Sequence, residues 1–405
     1  MIYHSNRLKS IMQEHDVEMV IAATAQNIKY FSGFMPVVKT LRPYQGECYV
    51  MITASNVGQI HLVHAIGEID QVLDSPSDIG LVHTYGTFFR EPNDEVMLND
   101  EERRLQLYSC QNTAFADAET ALIQAVAALI SPEMRRIGID EDGLHAMTLL
   151  TLQRTFPAIR FVPFSAMLRR TRQVKTTFEI EQLSASAINN EKAVRHVCEH
   201  VHAGMPETEI VRLFNASLAG DGSIPDLTML KIGRHAVGGQ RLPRVENRLQ
   251  RGDVLWFDAD ASYQGFWSDI ARTVIFDHDN EEYREKYGAL KQGMDLALQQ
   301  IEPGMTGRDV FHMVMDKINS RGLFHYRRHH VGHGIGLEPY ELPLLGPNDT
   351  TPIEEGMVLS VETPYYQFGT GALHIESPLL VARQHNICLT REWAPEWTVI
   401  KGMSL

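Results

Sequence analysis

The sequence predicts an α/β protein with two domains. Three observations support this prediction: the chain of 405 residues is too long for one hydrophobic core, its first part alternates helical and strand-like patterns, and its later part is rich in strands. We place the boundary at a basic segment near residues 165–176, which we interpret as a linker. The prediction is an α/β domain over residues 1–170 and a second, strand-rich domain with helices over residues 171–405.

The elements of the first domain follow from hydrophobic periodicity. Residues 5–16 and 114–130 have helical patterns. Short apolar segments predict strands, namely VEMVIAA, ECYVMITA, QIHLVH, RRIGID and AIRFVPF. This alternation is typical of an α/β domain. The domain contains no glycine-rich loop of the kind that binds phosphate.

The second domain is predicted to begin with two helices. Thr176 and Glu179 have the spacing of a capping box, and small or apolar residues then repeat on one helical face as far as Val201. A second helix is predicted from about Glu207 to Ala219. Further helices are predicted near residues 281–301 and 307–321, and the remaining segments read as strands and turns.

Composition limits the classes of function. Apolar residues make up 44% and charged residues 22% of the chain, as in soluble globular proteins. The formal net charge of −14 argues against a nucleic-acid partner, which needs clustered cations. The four cysteines form no C-x-x-C pair, and no segment resembles a signal peptide or a membrane span. We therefore expect a cytoplasmic protein that binds neither membranes nor nucleic acid.

An acidic hairpin is predicted within residues 257–276, FDADASYQGFWSDIARTVIF. Two apolar strands flank SYQG, which is a plausible tight turn. Because Asp258 and Asp269 are symmetric about this turn, we expect them to face each other across the strand pair. Like charges in that arrangement destabilise a sheet, and a cation between them reverses the effect.

A second acidic hairpin is predicted within residues 356–381, GMVLSVETPYYQFGTGALHIESPLLV. Glu362 and Glu376 are symmetric about Gly369, so we expect them to lie opposite each other on buried strands. One pair of facing carboxylates on buried strands can arise by chance. Two such pairs in one domain indicate a metal site, because buried carboxylates need a partner of opposite charge.

Histidines come from a glycine-rich segment, RRHHVGHGIGLEPYELP, residues 327–343. The glycines disfavour a helix, so we expect a strand or loop whose backbone approaches the site closely. With His333, the site has four carboxylates and one imidazole. This donor set suits two bridged divalent ions, with manganese as first choice and cobalt, iron or zinc as the others.

These residues resemble the ligand signature of the pita-bread metallohydrolases, which include methionine aminopeptidase, aminopeptidase P, prolidase and creatinase. The order Asp, Asp, His, Glu, Glu is carried here by FDADASYQGFWSDIART, GHGIGLEP, GMVLSVETP and LHIES, and NIKYFSGF resembles the N-terminal domain of the creatinase and prolidase branch. The resemblance implies a creatinase-like N-terminal α/β domain and a C-terminal pita-bread catalytic domain (α+β, pseudo-twofold). It also implies a homodimer.

The resemblance implies a role for each ligand. Asp258 would hold one ion, Asp269 and Glu376 would bridge both ions, and His333 would bind the second ion. Glu362 would ligate a metal and accept a proton from the attacking water. The implied activity is hydrolysis of a C–N amide bond in a small molecule or short peptide, most simply as an Xaa-Pro aminopeptidase or dipeptidase.

Four further residues are assigned to the site by comparison with the proline-specific peptidases. His329 matches a family histidine that contacts substrate. Tyr340 stands where these enzymes have a second histidine, and a phenol can also donate to an oxyanion. His374 stands where they have an arginine. Asp260 replaces a usual glycine and shares a strand face with Asp258, so it is a further candidate contact to metal or substrate.

These departures keep other functions open. The Asp-x-Asp pattern at Asp260 resembles the dimethylsulfoniopropionate lyase branch, and an ectoine-type hydrolase is a second non-peptidase alternative. A non-catalytic binding module is a third, although such modules usually lose ligands. The basic residues 327–330 either offer charge to an acidic substrate group or support the loop, and Tyr365 and Tyr366 are candidate substrate contacts.

Overall fold

The computed structural model describes residues 2–93 and 95–402. The chain divides into two units, Met1–Arg172 and Gln173–Leu405, where the sequence predicted a boundary between residues 170 and 171. The interpretation of the basic segment as a linker was wrong, because Ser165–Gln173 is an α-helix. Its alanine, methionine, leucine and arginine residues are all good helix formers.

The N-terminal unit contains one mixed sheet. Its strands are β1 (Met19–Ala22), β2 (Tyr49–Thr53), β3 (Gln59–Ala65), β4 (Asp78–Tyr85), β5 (Arg136–Ile139) and β6 (Arg160–Pro163). They follow the order β4-β3-β2-β1-β5-β6. The pairs β1–β2 and β2–β3 are antiparallel, whereas β3–β4, β1–β5 and β5–β6 are parallel. Every strand predicted in this unit is present, and β4 was not predicted.

Helices accompany this sheet. The α-helices are α1 (Ser5–Glu14), α2 (Ala25–Ser32), α3 (Val37–Leu41), α4 (Asp100–Tyr108), α5 (Ala118–Leu129), α6 (Ala146–Thr155) and α7 (Ser165–Gln173), and 3-10 helices span Ile66–Asp74 and Gln111–Thr113. The two helices predicted here are α1 and α5. Helix α5 packs its alanines and leucines on the apolar strands, with Leu122 and Val126 fully buried.

One carboxylate of this unit, Asp140, lies fully buried directly after β5. It accepts hydrogen bonds from the backbone N–H groups of Ala23 and Thr24, from the Thr24 hydroxyl, from Asn27 Nδ2 and from Ser165 Oγ. Burial alone would raise the pKa of Asp140, but these hydrogen bonds outweigh it and lower the pKa. The protein itself therefore supplies every partner that stabilises this charge.

The C-terminal unit contains a larger sheet of mainly antiparallel strands. Its strands are β7 (Ile224–Ile232), β8 (Val254–Tyr263), β9 (Phe266–Phe276), β10 (Gly332–Gly334), β11 (Glu341–Leu344), β12 (Val358–Glu362), β15 (Glu376–Leu380), β16 (Ile387–Cys388) and β17 (Val399–Ile400). The main order is β11-β10-β12-β15-β9-β8-β7, with β16 on β15 and β17 on β9. Strands β13 (Tyr365–Gln367) and β14 (Gly371–Leu373) form a separate hairpin.

Two pairs of helices belong to this unit, as predicted. They are α8 (Thr177–His200), α9 (Glu207–Gly220), α10 (Glu281–Gln300) and α11 (Gly307–Asn319), and a 3-10 helix spans Gly233–Gly238. The capping box of Thr176 and Glu179 is confirmed. A helix pair followed by strands thus occurs twice along the chain.

The helices pack on one face of this sheet. Helices α8 and α9 share a core with Phe257, Ala259 and Ala261, while α10 and α11 share one with Leu359 and Val361. Because side chains alternate along a strand, the residues between these positions point to the other face. That second face is free to carry polar side chains, as is common in antiparallel sheets.

Candidate metal centre

Strand register brings acidic residues from both hairpins into one row. Asp258 pairs with Ala271, Ala271 pairs with Glu376, and Glu376 pairs with Glu362. Residues in such a row point to the same face, and neighbouring strands are about 4.8 Å apart. The row therefore gathers three carboxylates on the face that the helices leave free.

The two predicted registers had different outcomes. Glu362 does lie opposite Glu376, so that prediction is confirmed. The prediction that Asp258 faces Asp269 was wrong, because Asp269 pairs with Asp260. The two-residue turn at Gln264 and Gly265, both with positive φ, sits one residue later than we assumed.

His333 lies on β10 and is fully buried against the acidic row. Its Nδ1 donates to the Gly334 carbonyl at 3.0 Å, which leaves Nε2 without a proton. Nε2 lies 3.5 Å from Asp269 Oδ2 and 3.8 Å from Glu376 Oε1. The close approach of this strand depends on Gly332, which has φ +138° and whose added Cβ would lie 2.2 Å from the Ser360 carbonyl oxygen.

His374 lies on the other side of the Glu376 carboxylate. Its Nε2 is 3.5 Å from Glu376 Oε2 and 3.2 Å from Glu362 Oε2, and its Nδ1 is 3.6 Å from Asp258 Oδ2. Glu376 thus belongs to two groups of potential ligands, one with Asp269 and His333 and one with Asp258 and His374. The structure therefore places His374 among the carboxylates.

Burial dominates the electrostatics of this site. It raises the pKa of Asp258, Asp260, Asp269 and Glu376, and the neighbouring carboxylates add to the rise. Burial also lowers the pKa of His333. Without a cation, the protein therefore favours neutral forms of these groups.

Glu362 behaves differently because two histidines contact it. Burial acts to raise its pKa, but contacts with His330 and His374 outweigh burial and hold the pKa well below its usual range. His330 Nδ1 lies 2.6 Å from Glu362 Oε1. The sequence analysis missed His330 and singled out its exposed neighbour His329; the His-His doublet was the available signal.

A cavity of about 610 Å³ opens onto this centre. Its lining includes the following groups: Asp258, Glu362, His329, His330, Tyr340, Trp256, Tyr366, Arg241 and Arg328. Tyr340 stacks on the His333 ring, with 3.7 Å between ring centroids and 18° between planes. His329 and Tyr340 thus lie where a bound molecule can reach them.

Arg272, on β9, holds the backbone of β15 at Glu376. Its Nη1 donates to the Glu376 carbonyl at 2.5 Å and to Ser377 Oγ at 3.1 Å, and its Nη2 donates to Glu191 on α8 at 3.2 Å. All four residues are buried. A buried charge that is fully paired in this way fixes the strand that carries Glu376 relative to β9 and α8.

The donor atoms fit divalent cations. Among the described residues, no hydrogen-bond partner is found for Asp260 Oδ1, Asp269 Oδ1, His333 Nε2 or Glu376 Oε1, although all are buried. Leaving such groups unpaired costs several kcal/mol. His333 Nε2 lies 3.5 Å from Asp269 Oδ2 and 3.8 Å from Glu376 Oε1, which is too far for strong hydrogen bonds. These distances suit atoms that bind the same ion, each at about 2.1 Å from it.

Comparison with known proteins places this centre in a family. Residues 181–383 match the model of metallopeptidase family M24, and residues 5–174 match that of the creatinase/prolidase N-terminal domain. The chain belongs to metallopeptidase family M24. The predicted family and fold class are therefore confirmed, and the protein is a metallohydrolase related to the Xaa-Pro peptidases.

Two curated relatives illustrate the similarity. The uncharacterized peptidase YqhT of Bacillus subtilis is 27% identical over 278 residues, which cover 67% of this chain and 77% of the relative. The Xaa-Pro dipeptidase of Pyrococcus furiosus is 28% identical over 232 residues, which cover 57% of this chain and 67% of the relative.

Solved structures share the fold of this M24 chain. The Xaa-Pro dipeptidase from Bacillus anthracis aligns with a TM-score of 0.76 and 20% identity, covering 97% of this chain and 98% of that one. The X-Pro aminopeptidase from Thermotoga maritima aligns with a TM-score of 0.74 and 20% identity, covering 98% of this chain and 99% of that one.

In residues 2–93 and 95–402, no helix has both the length and the apolar character that membrane crossing requires. The homodimer and the cytoplasmic location stay predictions.

Proposed function

We propose that this M24 enzyme is an Xaa-Pro dipeptidase or aminopeptidase with two divalent ions. The observation that carries the proposal is the convergence of buried, unpartnered carboxylate and imidazole atoms on one sheet face, beside a cavity that Asp258 and Glu362 line. Asp258, Asp269, His333, Glu362 and Glu376 would hold the ions. Divalent ions there, of the manganese, cobalt, iron or zinc type, supply Lewis acidity for amide hydrolysis.

Glu362 is the proposed proton acceptor. It lines the cavity, where it can reach a water molecule, and its lowered pKa keeps it in the ionised form that has a free lone pair for a proton. His330 Nδ1 lies 2.6 Å from Oε1 of this carboxylate and limits the space in which the group can turn. Tyr340 offers a phenol at the cavity wall that can donate to the developing oxyanion.

The wall of the cavity suits a substrate with a free carboxylate. Arg328 lines the cavity beside Tyr366, with 5.7 Å between the guanidinium carbon and the ring centroid. Its Nε is buried, and the described residues provide no hydrogen-bond partner for it. With metal-binding carboxylates at the floor and a guanidinium at the wall, the cavity matches a dipeptide, whose amine and carboxylate lie at opposite ends.

A substitution of Arg328 tests whether the cavity binds a substrate carboxylate. Arg328→Gln should lower kcat/KM for an Xaa-Pro dipeptide about 10- to 100-fold, which is the contribution of one charged hydrogen bond. The same substitution should leave kcat/KM for the corresponding dipeptide amide unchanged, because the amide carries no carboxylate. Arg327 is the matched control, because it is exposed and is absent from the described cavity lining. Arg327→Gln should therefore leave kcat/KM unchanged for both substrates. Equal losses on acid and amide would contradict a carboxylate-binding role.

A second candidate function follows from Asp260. Its carboxyl group lies opposite Asp269 on the strand pair and adds a donor to the centre. This favours a non-peptidase reaction of the same centre, such as ectoine-type hydrolysis or dimethylsulfoniopropionate cleavage.

A substrate panel with the metal-stripped and reloaded enzyme separates the two candidates. The peptidase proposal expects cleavage of Xaa-Pro dipeptides after addition of Mn²⁺ or Co²⁺, with ectoine and dimethylsulfoniopropionate untouched. Turnover of either small molecule without peptide cleavage would favour the second candidate. A purified protein that holds almost no transition metal and does not respond to added metal would exclude both.

A further inference from the structure

His374 is held more rigidly than a cavity-lining side chain needs to be. It is 1% exposed, and its ring lies nearly parallel to that of Trp256, with 6.2 Å between centroids and 20° between planes. Its backbone N–H donates to Thr273 Oγ1 at 2.8 Å, and the Thr273 hydroxyl donates back to the His374 carbonyl at 3.0 Å. The direction of the imidazole is therefore set by β9 and by the indole.

The ring nitrogens of His374 are directed at carboxylates only. Asp258, Glu362 and Glu376 lie 3.2–3.6 Å away, and no hydrogen bond to either nitrogen is found among the described residues. A neutral imidazole has one N–H donor and one lone pair. Because an ionised carboxylate has no proton to donate, the lone pair of a neutral His374 ring faces negative charge unless a cation lies between them.

His374 and His333 are related in the way that two equivalent ligands would be. Each is buried, each has an unpartnered nitrogen, and each lies within 3.8 Å of Glu376, one at Oε1 and the other at Oε2. Asp269 completes the group of His333, and Asp258 completes the group of His374. The Glu376 carboxylate thus divides the centre into two halves of the same composition.

We propose that His374 is a ligand of the ion held by Asp258 and Glu376, so that each half of the centre contributes one imidazole. This inference rests on the proposed metal centre. A second nitrogen donor makes the site softer than one of carboxylates and a single imidazole. The Asp258 half should therefore favour cobalt, iron or zinc over manganese more strongly than a carboxylate-only site would.

The experiment counts the imidazole nitrogens bound to metal. Full-length protein, labelled with ¹⁵N only in histidine, is stripped and loaded with Mn²⁺ or Co²⁺, and pulsed EPR is compared with the unlabelled protein. We expect signals from two histidines in the native protein and from one in His374→Gln. Calorimetric titration of His374→Gln with Co²⁺ should show that one of the two sites binds more than about 100-fold more weakly than in the native protein. Loss of a residue that only hydrogen-bonds to a ligand costs at most about 100-fold in metal affinity, so a larger loss indicates a direct ligand.

Controls separate this inference from the metal centre itself. His329→Gln should leave both readouts unchanged, because the His329 ring packs against His330 rather than a carboxylate. One imidazole signal in the native protein, lost in His333→Gln, would overturn the role of His374 and keep the metal centre. Absence of any bound metal would overturn both. Because the nitrogen count uses the native protein, it decides the question even if His374→Gln does not fold.

Discussion

Asp140 in the N-terminal unit and Glu376 in the C-terminal unit are both buried carboxylates, but they are stabilised by opposite means. Asp140 accepts hydrogen bonds from two backbone amides and three side chains, and its pKa is lowered. Glu376 faces other carboxylates, one of its oxygens has no partner among the described residues, and its pKa is raised. A buried charge that its own protein does not satisfy indicates an external partner.

The difference has a structural cause. Asp140 lies where a strand ends beside the first turn of α2, so free backbone N–H groups point at it. Glu376 lies inside a sheet, where neighbouring strands use the backbone donors. Side chains from adjacent strands then become its nearest neighbours, and here they are acidic.

The largest expected effect comes from Glu376→Gln. We predict a loss of kcat of about 10³-fold or more and a loss of bound metal, because both groups of ligands share this carboxylate. The measurements are steady-state kinetics and metal content of the folded variant. Glu355→Gln is the control, since Glu355 pairs with Arg383 at the surface. Retention of both metal ions in Glu376→Gln would contradict the shared role.

Asp140→Ala tests the other half of the comparison. We predict a loss of about 3 kcal/mol or more in the free energy of unfolding, because the five donors around Asp140 would stay buried without an acceptor. Chemical denaturation measures this change. Asp142→Ala is a matched control, because Asp142 forms a half-exposed pair with Arg169 and should cost less than about 1 kcal/mol.

The same comparison predicts opposite reactions to metal removal. In metal-free protein, Glu376→Gln should leave stability unchanged or increase it, whereas Asp140→Ala should stay destabilising with or without metal. A large destabilisation of the metal-free protein by Glu376→Gln would show that the protein, rather than an ion, stabilises this carboxylate.

The pH dependence of stability sharpens the contrast. The pKa values of Asp258, Asp260, Asp269 and Glu376 are raised in the folded, metal-free protein, so the folded state holds more protons than the unfolded state above about pH 4. Stability of the metal-free protein should therefore fall as pH rises from about 4 through these pKa values. The lowered pKa of Asp140 acts oppositely, and its stabilisation is lost only as pH falls through the folded pKa.

Thermal melts with and without saturating metal check this prediction. We expect metal to raise Tm by roughly 10 °C at neutral pH. The difference should grow between about pH 5.5 and 8, because bound cations remove the cost of ionising the carboxylates and fewer protons compete with metal. A metal-free protein whose Tm rises steadily over that range would contradict the raised pKa values.

The sequence predicted the elements of both units better than the contacts within the site. Regular periodicity was sufficient for α8, and for β8 and β9 the runs of apolar residues were sufficient. The register of the hairpin between β8 and β9 depended on a turn at Gln264 and Gly265 that lacks the usual Asn-Gly signal, and we placed it one residue early. An error of one residue at the turn changed the partner of Asp269 from Asp258 to Asp260.

The choice between neighbouring histidines could not be made from the sequence. His329 and His330 are adjacent, and only the path of the loop before β10 decides which ring turns toward Glu362. The surroundings of His374 were equally hidden, because it is the pairing of β15 with β9 and β12 that surrounds it with three carboxylates. Such contacts depend on tertiary packing, which no local pattern records.

The smallest expected effect is at the rim of the centre, at Tyr340. Tyr340→Phe keeps the ring stacked on His333 and removes only the hydroxyl, so metal affinity should not change. An enclosed oxyanion donor is worth about 10²- to 10³-fold in kcat, but Tyr340 is 55% exposed and water can replace part of its function, so we predict a loss of roughly 10-fold.

Kinetics of Tyr340→Phe separate two roles of the hydroxyl. A fall in kcat with KM unchanged indicates that it acts on the transition state, whereas a rise in KM alone indicates ground-state binding and would contradict the oxyanion role. Tyr340→Ala additionally removes the ring that packs on His333. If the protein stabilises this ligand through packing as well as through the Gly334 carbonyl, the alanine variant should weaken metal binding where the phenylalanine variant does not.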